Sequence, residues 1–175
     1  MTQRVTQPHD SVRSFDDSVG APLHIVLIEP EIPPNTGNVA RLCAATGCAL
    51  HLVEPLGFRI DDRELKRAGL DYWHALGVVM HSSLDEFMET TSAKRRWFFS
   101  THAKRPYTDA RFETGDMLVF GRETRGLPKD LIARCGERVL RIPMRQNSVR
   151  SINLATAVGI AAYAALEQLG FPGLL

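Results

Sequence analysis

The sequence has few cysteines and almost no excess of either charge. Its three cysteines, Cys43, Cys48 and Cys135, form no Cys-x-x-Cys pair. This usage argues against a disulfide scaffold and a zinc site, and it is typical of a reducing compartment. The chain carries 21 Lys and Arg against 20 Asp and Glu, a net charge of +1. Any nucleic-acid binding must therefore come from a local basic patch.

Long apolar runs and several familiar signatures are also missing. No stretch approaches the roughly 18 to 20 apolar residues that a membrane-spanning helix needs, and the N-terminus lacks the apolar stretch of a signal peptide. We therefore expect a cytoplasmic protein with no membrane partner. The absence of G-x-G-x-x-G, of the P-loop motif and of G-x-S-x-G excludes three common enzyme classes. The histidines show no metal-ligand spacing, so we predict no metal.

The 175 residues, 44% of them apolar, fit one domain. Residues 1–22 are polar and aperiodic, which predicts a disordered N-terminal extension, and residues 23–175 form the predicted single domain. Strand-like runs alternate there with helical segments, which predicts an α/β fold, a mostly parallel sheet with helices on both faces. The predicted strands are Leu23–Ile28, Ala49–Val53, Gly77–Met80, Trp97–Ser100, Met117–Phe120 and Val139–Ile142.

The predicted helices follow from caps and apolar spacing. Pro30, Pro33 and Pro34 predict an extended loop, after which Asn35 or Thr36 caps the first helix. The last helix is rich in small residues, which fits either close packing within the domain or a helix-to-helix subunit interface. The helices are expected at Gly37–Thr46, from Asp61 or Asp62, from Ser82 or Ser83 to Phe87, at Pro128–Arg134, and at Ile152–Leu169.

Three separated segments each stand where a predicted strand gives way to a turn or a helix. They are Asn35–Arg41, Phe120–Pro128 and Arg150–Leu154. In open α/β folds, ligands bind beyond the carboxyl ends of the strands. The three segments therefore predict one pocket.

The residue types in these segments allow a binding reading and a plain structural one. As a binding site, the first segment offers amides beside Gly37, with Arg41 one helical turn after Asn38. As plain structure, it is only a helix cap, a glycine turn and a solvated arginine. In the second, Gly121 lets the main chain approach a ligand and Glu123 can accept bonds from ribose hydroxyls or an amine, or the pair Glu123 and Arg125 lies on a plain surface turn. In the third, Ser151 is the expected N-cap.

The three segments resemble the signature motifs of the SPOUT superfamily of RNA methyltransferases. The stretches Glu29–Asn38, Arg67–Tyr72 and Gly121–Pro128 look like those of its single-domain members that act on nucleotide 34 of tRNA. The resemblance covers about Leu23 to the C-terminus. It implies a SPOUT fold with a deep C-terminal trefoil knot, and a homodimer packed through the first and last helices.

The resemblance also implies an activity. It is S-adenosyl-L-methionine-dependent methylation of the ribose 2′-hydroxyl of the wobble nucleotide, cytidine or uridine 34, of tRNA, which leaves S-adenosyl-L-homocysteine and uses no metal. The alternatives are a 2′-O-methyltransferase for another tRNA or rRNA site, and a non-catalytic RNA-binding module. The implied cofactor-binding residues are Ser100, Thr101, Gly121, Glu123, Leu140, Ile142, Met144 and Ser151.

The implied catalytic residues are Arg41, Asn38, Ser151 and Asn153. The family assigns activation of the hydroxyl to the arginine that matches Arg41. Because arginine stays protonated in proteins, we interpret Arg41 as an electrostatic stabiliser of the developing alkoxide. Basic side chains would contact the phosphates of the anticodon stem-loop. The candidates are Arg59, Arg63, Lys66, Arg67, Arg145 and Arg150, whereas Lys94–Arg96 is expected to be only a solvated turn.

Overall fold

Parallel strands form the centre of the protein in the computed structural model, which describes residues 20–59, 76, 78–91, 94–145 and 148–174. Within those residues one sheet has seven strands in the order β3-β2-β1-β6-β4-β7-β5, and every paired neighbour is parallel. The strands are β1 (Leu23–Ile28), β2 (Ala49–Val53), β3 (Val79–His81), β4 (Arg96–Phe99), β5 (Arg105–Pro106), β6 (Asp116–Phe120) and β7 (Val139–Arg141).

The central strands are buried on both faces, which explains their mainly apolar sequences. β1 lies between β2 and β6, and Ile25 is in register with Leu50 of β2 and Leu118 of β6. All residues of these three strands are buried. β2 and β3 lie on one side of β1, and β4 to β7 lie on its other side. The loops after the neighbouring strands β1 and β6 therefore lead away in opposite directions from the carboxyl edge of the sheet.

Helices cover both faces of the sheet, as the sequence predicted. They are α1 (Pro33–Thr46), α2 (Leu84–Thr90), α3 (Lys129–Cys135) and α4 (Leu154–Gln168). One apolar cluster joins one face of the sheet to Val39 of α1 and Val158 of α4. A second cluster joins the other face to Phe87 of α2 and Leu131 of α3. The α/β fold with a parallel sheet is confirmed.

Two predicted helix starts are wrong. α1 begins at Pro33, because the first helical residues need no backbone N–H and proline is tolerated there. Its N-cap residue, Ile32, contributes no side-chain hydrogen bond. At α4 the capping residue is Asn153 rather than Ser151. Of the two predicted caps of α2, Ser82 and Ser83, the structure uses Ser83, whose hydroxyl accepts a bond from the backbone N–H of Glu86 at 3.1 Å, and the helix continues past the predicted end at Phe87 to Thr90.

Three buried histidines form a row across β1, β2 and β3. His24 Nδ1 lies 2.9 Å from His51 Nε2, and His51 Nδ1 lies 3.0 Å from His81 Nε2. Burial, followed by the charge of Lys94, lowers the pKa of His24 from 6.5 to about 4. Burial also lowers the pKa of His51 and of His81. Since each contact joins one ring N–H to one bare nitrogen, the folded state favours neutral imidazoles.

Two further observations concern the predictions about class and partners. No helix among the described residues is long and apolar enough to cross a membrane. The predicted basic helix, with Arg63, Lys66 and Arg67, lies outside the described residues. Residues 1–19 of the predicted N-terminal extension also lie outside them.

Candidate functional site

A cavity of about 890 Å³ opens at the carboxyl ends of the strands. It lies where ligands bind in open α/β sheets, and its size is within the range of small-molecule sites. All three segments singled out in the sequence contribute to its wall. The lining residues are Ile32, Asn35, Phe99–His102, Phe120–Leu127, Ile142, Met144, Arg150–Leu154 and Ala157.

The turn after β6 forms the largest continuous part of this wall. The backbone N–H of Gly126 donates to the carbonyl of Arg122 at 2.8 Å, and Gly126 has a φ of 66°. A Cβ at Gly121 would lie 2.2 Å from the carbonyl carbon of Gly126 and 2.3 Å from the backbone nitrogen of Leu127. Glycine is therefore needed at 121 because the turn folds back onto it. In the sequence, Gly121 was interpreted as a position where the main chain approaches a ligand; the structure gives this closer reason for the glycine.

The carboxylate of Glu123 binds the start of α1. Oε2 accepts from the backbone N–H of Glu31 at 2.8 Å, and Oε1 accepts from the backbone N–H of Ile32 at 3.2 Å. Oε1 also accepts from Nδ2 of Asn35 at 3.1 Å. A negative group is favourable at this end of a helix, where N–H donors lack partners within the helix. Glu123 thus holds, from the β6 turn, the two residues that precede α1 and the side chain of Asn35 in its first turn.

Asn35 connects this carboxylate to the start of α4. Its Oδ1 accepts from Nδ2 of Asn153 at 2.8 Å, and Asn35 is 5% exposed. Asn153 Oδ1 in turn accepts from the backbone N–H groups of Ala155 at 2.9 Å and Thr156 at 3.3 Å. The chain Glu123–Asn35–Asn153 therefore joins the three sequence segments into one hydrogen-bonded unit.

The structure places the predicted catalytic residues in two groups. Ser151 and Asn153 line the cavity, whereas Asn38 and Arg41 lie on the exposed surface of α1 and are not among its lining residues. Asn35, one helical turn before Asn38, faces the cavity instead. From the sequence, Asn35 was predicted to be a helix cap or one of two amides beside Gly37. The signal that identifies it is its pairing with Asn153, which is visible only in three dimensions.

Most of the predicted cofactor-binding residues come together. Seven of them line the cavity, namely Ser100, Thr101, Gly121, Glu123, Ile142, Met144 and Ser151. Leu140 is fully buried in the core instead, and its carbonyl accepts from the backbone N–H of Ser100 at 2.9 Å. The apolar wall of Phe99, Phe120, Leu127 and Leu154 was not predicted from the sequence, because these buried residues come from two strand ends, the β6 turn and the first residue of α4.

The rim of the cavity is basic. Arg125 and Arg150 line it and are exposed, and the exposed Arg145 follows the lining residue Met144. In the described part of the chain, no group of three or more His, Cys, Asp or Glu side chains could hold a metal ion. The site therefore combines a pocket of apolar and hydroxyl-bearing side chains with a cationic entrance. The pocket suits a small molecule, and the entrance suits a polyanion that binds over it.

Comparison with known proteins places this site in a family context. A sequence model of the SpoU rRNA Methylase family matches residues 22–163. The chain is 51% identical over 151 residues to a tRNA (cytidine(34)-2′-O)-methyltransferase of Saccharophagus degradans, covering 86% of this chain and 97% of the relative. It is 47% identical over 152 residues to the enzyme of that name from Escherichia coli K12, covering 86% and 96%.

Solved structures give the same picture. One, described as giving insights into the 2-OH methylation of C/U34 on tRNA, has a TM-score of 0.79 and 50% identity, covering 85% of this chain and 96% of that one. The SpoU methyltransferase AviRb from Streptomyces viridochromogenes, solved in complex with AdoMet, has a TM-score of 0.79 and 23% identity, covering 90% and 65%. The second likeness supports the fold alone.

Proposed function

The chain belongs to the SpoU rRNA methylase family, and from that premise we propose that it methylates the ribose 2′-hydroxyl of nucleotide 34, cytidine or uridine, in tRNA. The observation that carries this proposal is the convergence of its three motif segments on one cavity, in a chain that matches enzymes of that activity over nearly their whole length. The resemblance noted in the sequence is thereby confirmed.

We propose that S-adenosylmethionine occupies the cavity. The site fits this molecule in kind, because it offers an apolar wall for an adenine ring and hydroxyls for polar groups. Ser100, Thr101 and Ser151 would supply the hydroxyl contacts, and Ile142 and Met144 would border the ring. When bound, the sulfonium supplies an electrophilic methyl group and leaves as S-adenosylhomocysteine.

The role of Glu123 follows from its contacts. Its two carboxylate oxygens accept three hydrogen bonds from Glu31, Ile32 and Asn35. A carboxylate engaged in this way organises the wall of the site and is poorly placed to remove a proton from the substrate. We therefore assign to Glu123 the positioning of the β6 turn against α1.

The protein must align the 2′-oxygen with the methyl group and stabilise the negative charge that develops on that oxygen. Arg41 is exposed and lies outside the cavity, so its guanidinium would act on the ribose from the RNA side. It remains protonated, which suits stabilisation of an alkoxide and not abstraction of a proton. A neighbouring RNA phosphate would accept the proton. Asn38 would help to position the ribose.

The RNA would reach the cavity across its basic rim. Arg125, Arg145 and Arg150 are exposed around the entrance and would contact phosphates of the anticodon stem-loop. Nucleotide 34 lies in a loop, where a base can be unstacked and its 2′-hydroxyl reached. A cytoplasmic location would follow from this substrate.

We further propose a homodimer packed through α1 and α4, and a knotted C-terminal segment. α1 and α4 lie side by side over one face of the sheet. The outer surface of α4 carries Tyr163, which is 49% exposed, and that of α1 carries the exposed Ala44 and Ala45. The knot is supported by the position of β7 between β4 and β5 and by the cavity walls that the loops after β4, β6 and β7 share. Sedimentation velocity tests the dimer.

A methylation assay tests the proposed activity. The substrates are labelled S-adenosylmethionine and total tRNA that lacks wobble 2′-O-methylation, and nucleoside mapping locates the label. We expect label on the ribose of nucleotide 34. Label at another tRNA or rRNA position would move the substrate, and measurable cofactor binding with no label on any RNA would refute the proposed target. Absence of both label and binding would favour a non-catalytic RNA-binding module.

A further inference from the structure

The turn from Gly121 to Leu127 is a wall of the cavity that depends on an outside anchor. All seven of its residues line the cavity, yet its backbone is closed by a single isolated bridge between Arg122 and Gly126. Thr124, which lies between the two bridge residues, is exposed. A short turn of this kind needs further contacts to keep a fixed position, because ordering each residue costs conformational entropy.

Glu31 provides that anchor from the loop after β1. Its Oε2 accepts from the backbone N–H of Thr124 at 3.0 Å. The hydroxyl of Thr124 donates to the same carboxylate, at 3.0 Å from Oε1 and 2.7 Å from Oε2. Bonds to an ionised carboxylate are shorter and stronger than those between neutral groups. One side chain thus fixes both the main chain and the side chain of Thr124.

The anchor is reciprocal. While Glu31 holds the turn through Thr124, the neighbouring Glu123 accepts the backbone N–H of Glu31 at 2.8 Å. An ion pair between Glu29 and Arg122 joins the same two loops. The loops follow β1 and β6, which are paired neighbours in the sheet, so the three contacts tie together two adjacent strand ends at the cavity.

We infer that Glu31 is a positioning residue for the small molecule in the cavity, because its carboxylate fixes the 121–127 turn that forms the wall. This inference rests on the proposed function and adds a residue that acts through Thr124. Without the carboxylate, Thr124 at the tip of the turn would lose its anchor while the contacts of Glu123 and Arg122 remain, so binding would have to order that tip. The energy needed for that ordering would appear as weaker binding.

The test is calorimetric titration of the full-length chain with S-adenosylhomocysteine. Glu31→Ala should raise its Kd roughly tenfold, equivalent to about 1.4 kcal/mol. Thr124→Val, which keeps the backbone bond and removes the hydroxyl, should raise Kd roughly threefold. Thr124→Ser keeps both donors and should bind like the wild type. Hydrogen exchange of the peptide 121–127 in the free protein should be faster in Glu31→Ala.

The controls separate positioning from general stability. Glu89→Ala removes an exposed carboxylate on α2 that is not part of the cavity lining, and it should leave both Kd and exchange at 121–127 unchanged. An unchanged Kd in Glu31→Ala, with wild-type binding intact, would overturn the role of Glu31 alone. If Glu31→Ala does not fold, an unchanged Kd in Thr124→Val overturns it. If the wild type does not bind S-adenosylhomocysteine, the proposed function and this inference both fail.

Discussion

Replacement of Asn35 by Asp tests the hydrogen-bonded unit that joins the three motif segments. The change preserves shape but replaces the Nδ2 donor with a carboxylate oxygen 3.1 Å from Oε1 of Glu123. Two unit charges at that distance repel by about 5 kcal/mol at an effective dielectric constant of 20. The lost charge-assisted bond adds about 1.5 to 3 kcal/mol. Sharing a proton between the two carboxyls relieves part of this, so we expect a net loss of about 4 kcal/mol in the free energy of unfolding at pH 7.5.

Asn35→Ala provides the comparison. It removes one hydrogen-bond donor to Glu123 and leaves the Nδ2 group of Asn153 without its acceptor, which should lower the free energy of unfolding by about 2 kcal/mol. The isosteric Asp should therefore be worse than the truncating Ala. Its deficit should shrink at pH 5, since the crowded carboxyls of the folded variant bind a proton more readily than those of the unfolded chain.

Urea unfolding of the wild type and the two single variants, at pH 7.5 and pH 5, measures these differences. The double variant Asn35→Asp with Glu123→Gln should regain about 2 kcal/mol, because the Gln amide can donate to the new carboxylate and removes the charge repulsion, although it gives up the bond from the backbone N–H of Ile32. The reasoning is refuted if Asp is no worse than Ala, or if the Gln partner restores nothing.

Three other predictions follow from separate features. The pKa of His24 is about 4 in the folded protein against the ordinary 6.5, so the unfolded state binds a proton first as the pH falls. About 3 kcal/mol of the free energy of unfolding, present above pH 6.5, should therefore be lost as the pH falls toward 4. A free energy of unfolding from urea denaturation that stays constant over this range would contradict the prediction. Gly121→Ala should lower the free energy of unfolding by about 2 to 4 kcal/mol, because its Cβ clashes with the β6 turn. Gly159→Ala, whose Cβ meets no atom within 4 Å, should raise it by up to about 1 kcal/mol. In thermal melts the first variant should lower Tm and the second should raise it. Arg41→Lys keeps the charge but loses the planar guanidinium, so kcat for methyl transfer should fall at least about tenfold; near-normal kcat with an unchanged pH profile would eliminate a special role for the guanidinium.

The sheet was predictable because its central strands are buried on both faces. Leu23–Ile28 and Ala49–Val53 are apolar runs with one histidine each, and the structure gives them the predicted bounds. β5 was missed because Arg105–Pro106 is only two residues long and has no apolar pattern. The early start of α1 was missed because a proline reads as a helix breaker in sequence, although the first turn tolerates it.

The site was predictable as a meeting of segments but not as a set of contacts. Motif positions indicated that residues near 35, 121 and 151 share a pocket, and they do. Sequence alone did not show that Asn153 caps α4 while holding Asn35, because one side chain makes both a local and a distant bond. The histidine row was hidden for a similar reason, since its members come from three strands that meet only in the folded sheet, where His51 lies opposite Val26 and Val79 and contacts the other two histidines diagonally.

The central claim, that the reaction occurs at the 2′-oxygen of nucleotide 34, is tested most directly with tRNAs that each lack one hydroxyl. Two otherwise identical substrate tRNAs carry a 2′-deoxy nucleotide either at position 34 or at position 32, and the transfer of labelled methyl from S-adenosylmethionine is measured. We predict no transfer to the first tRNA and normal transfer to the second. Transfer to the tRNA without a 2′-hydroxyl at position 34 would contradict the proposed function.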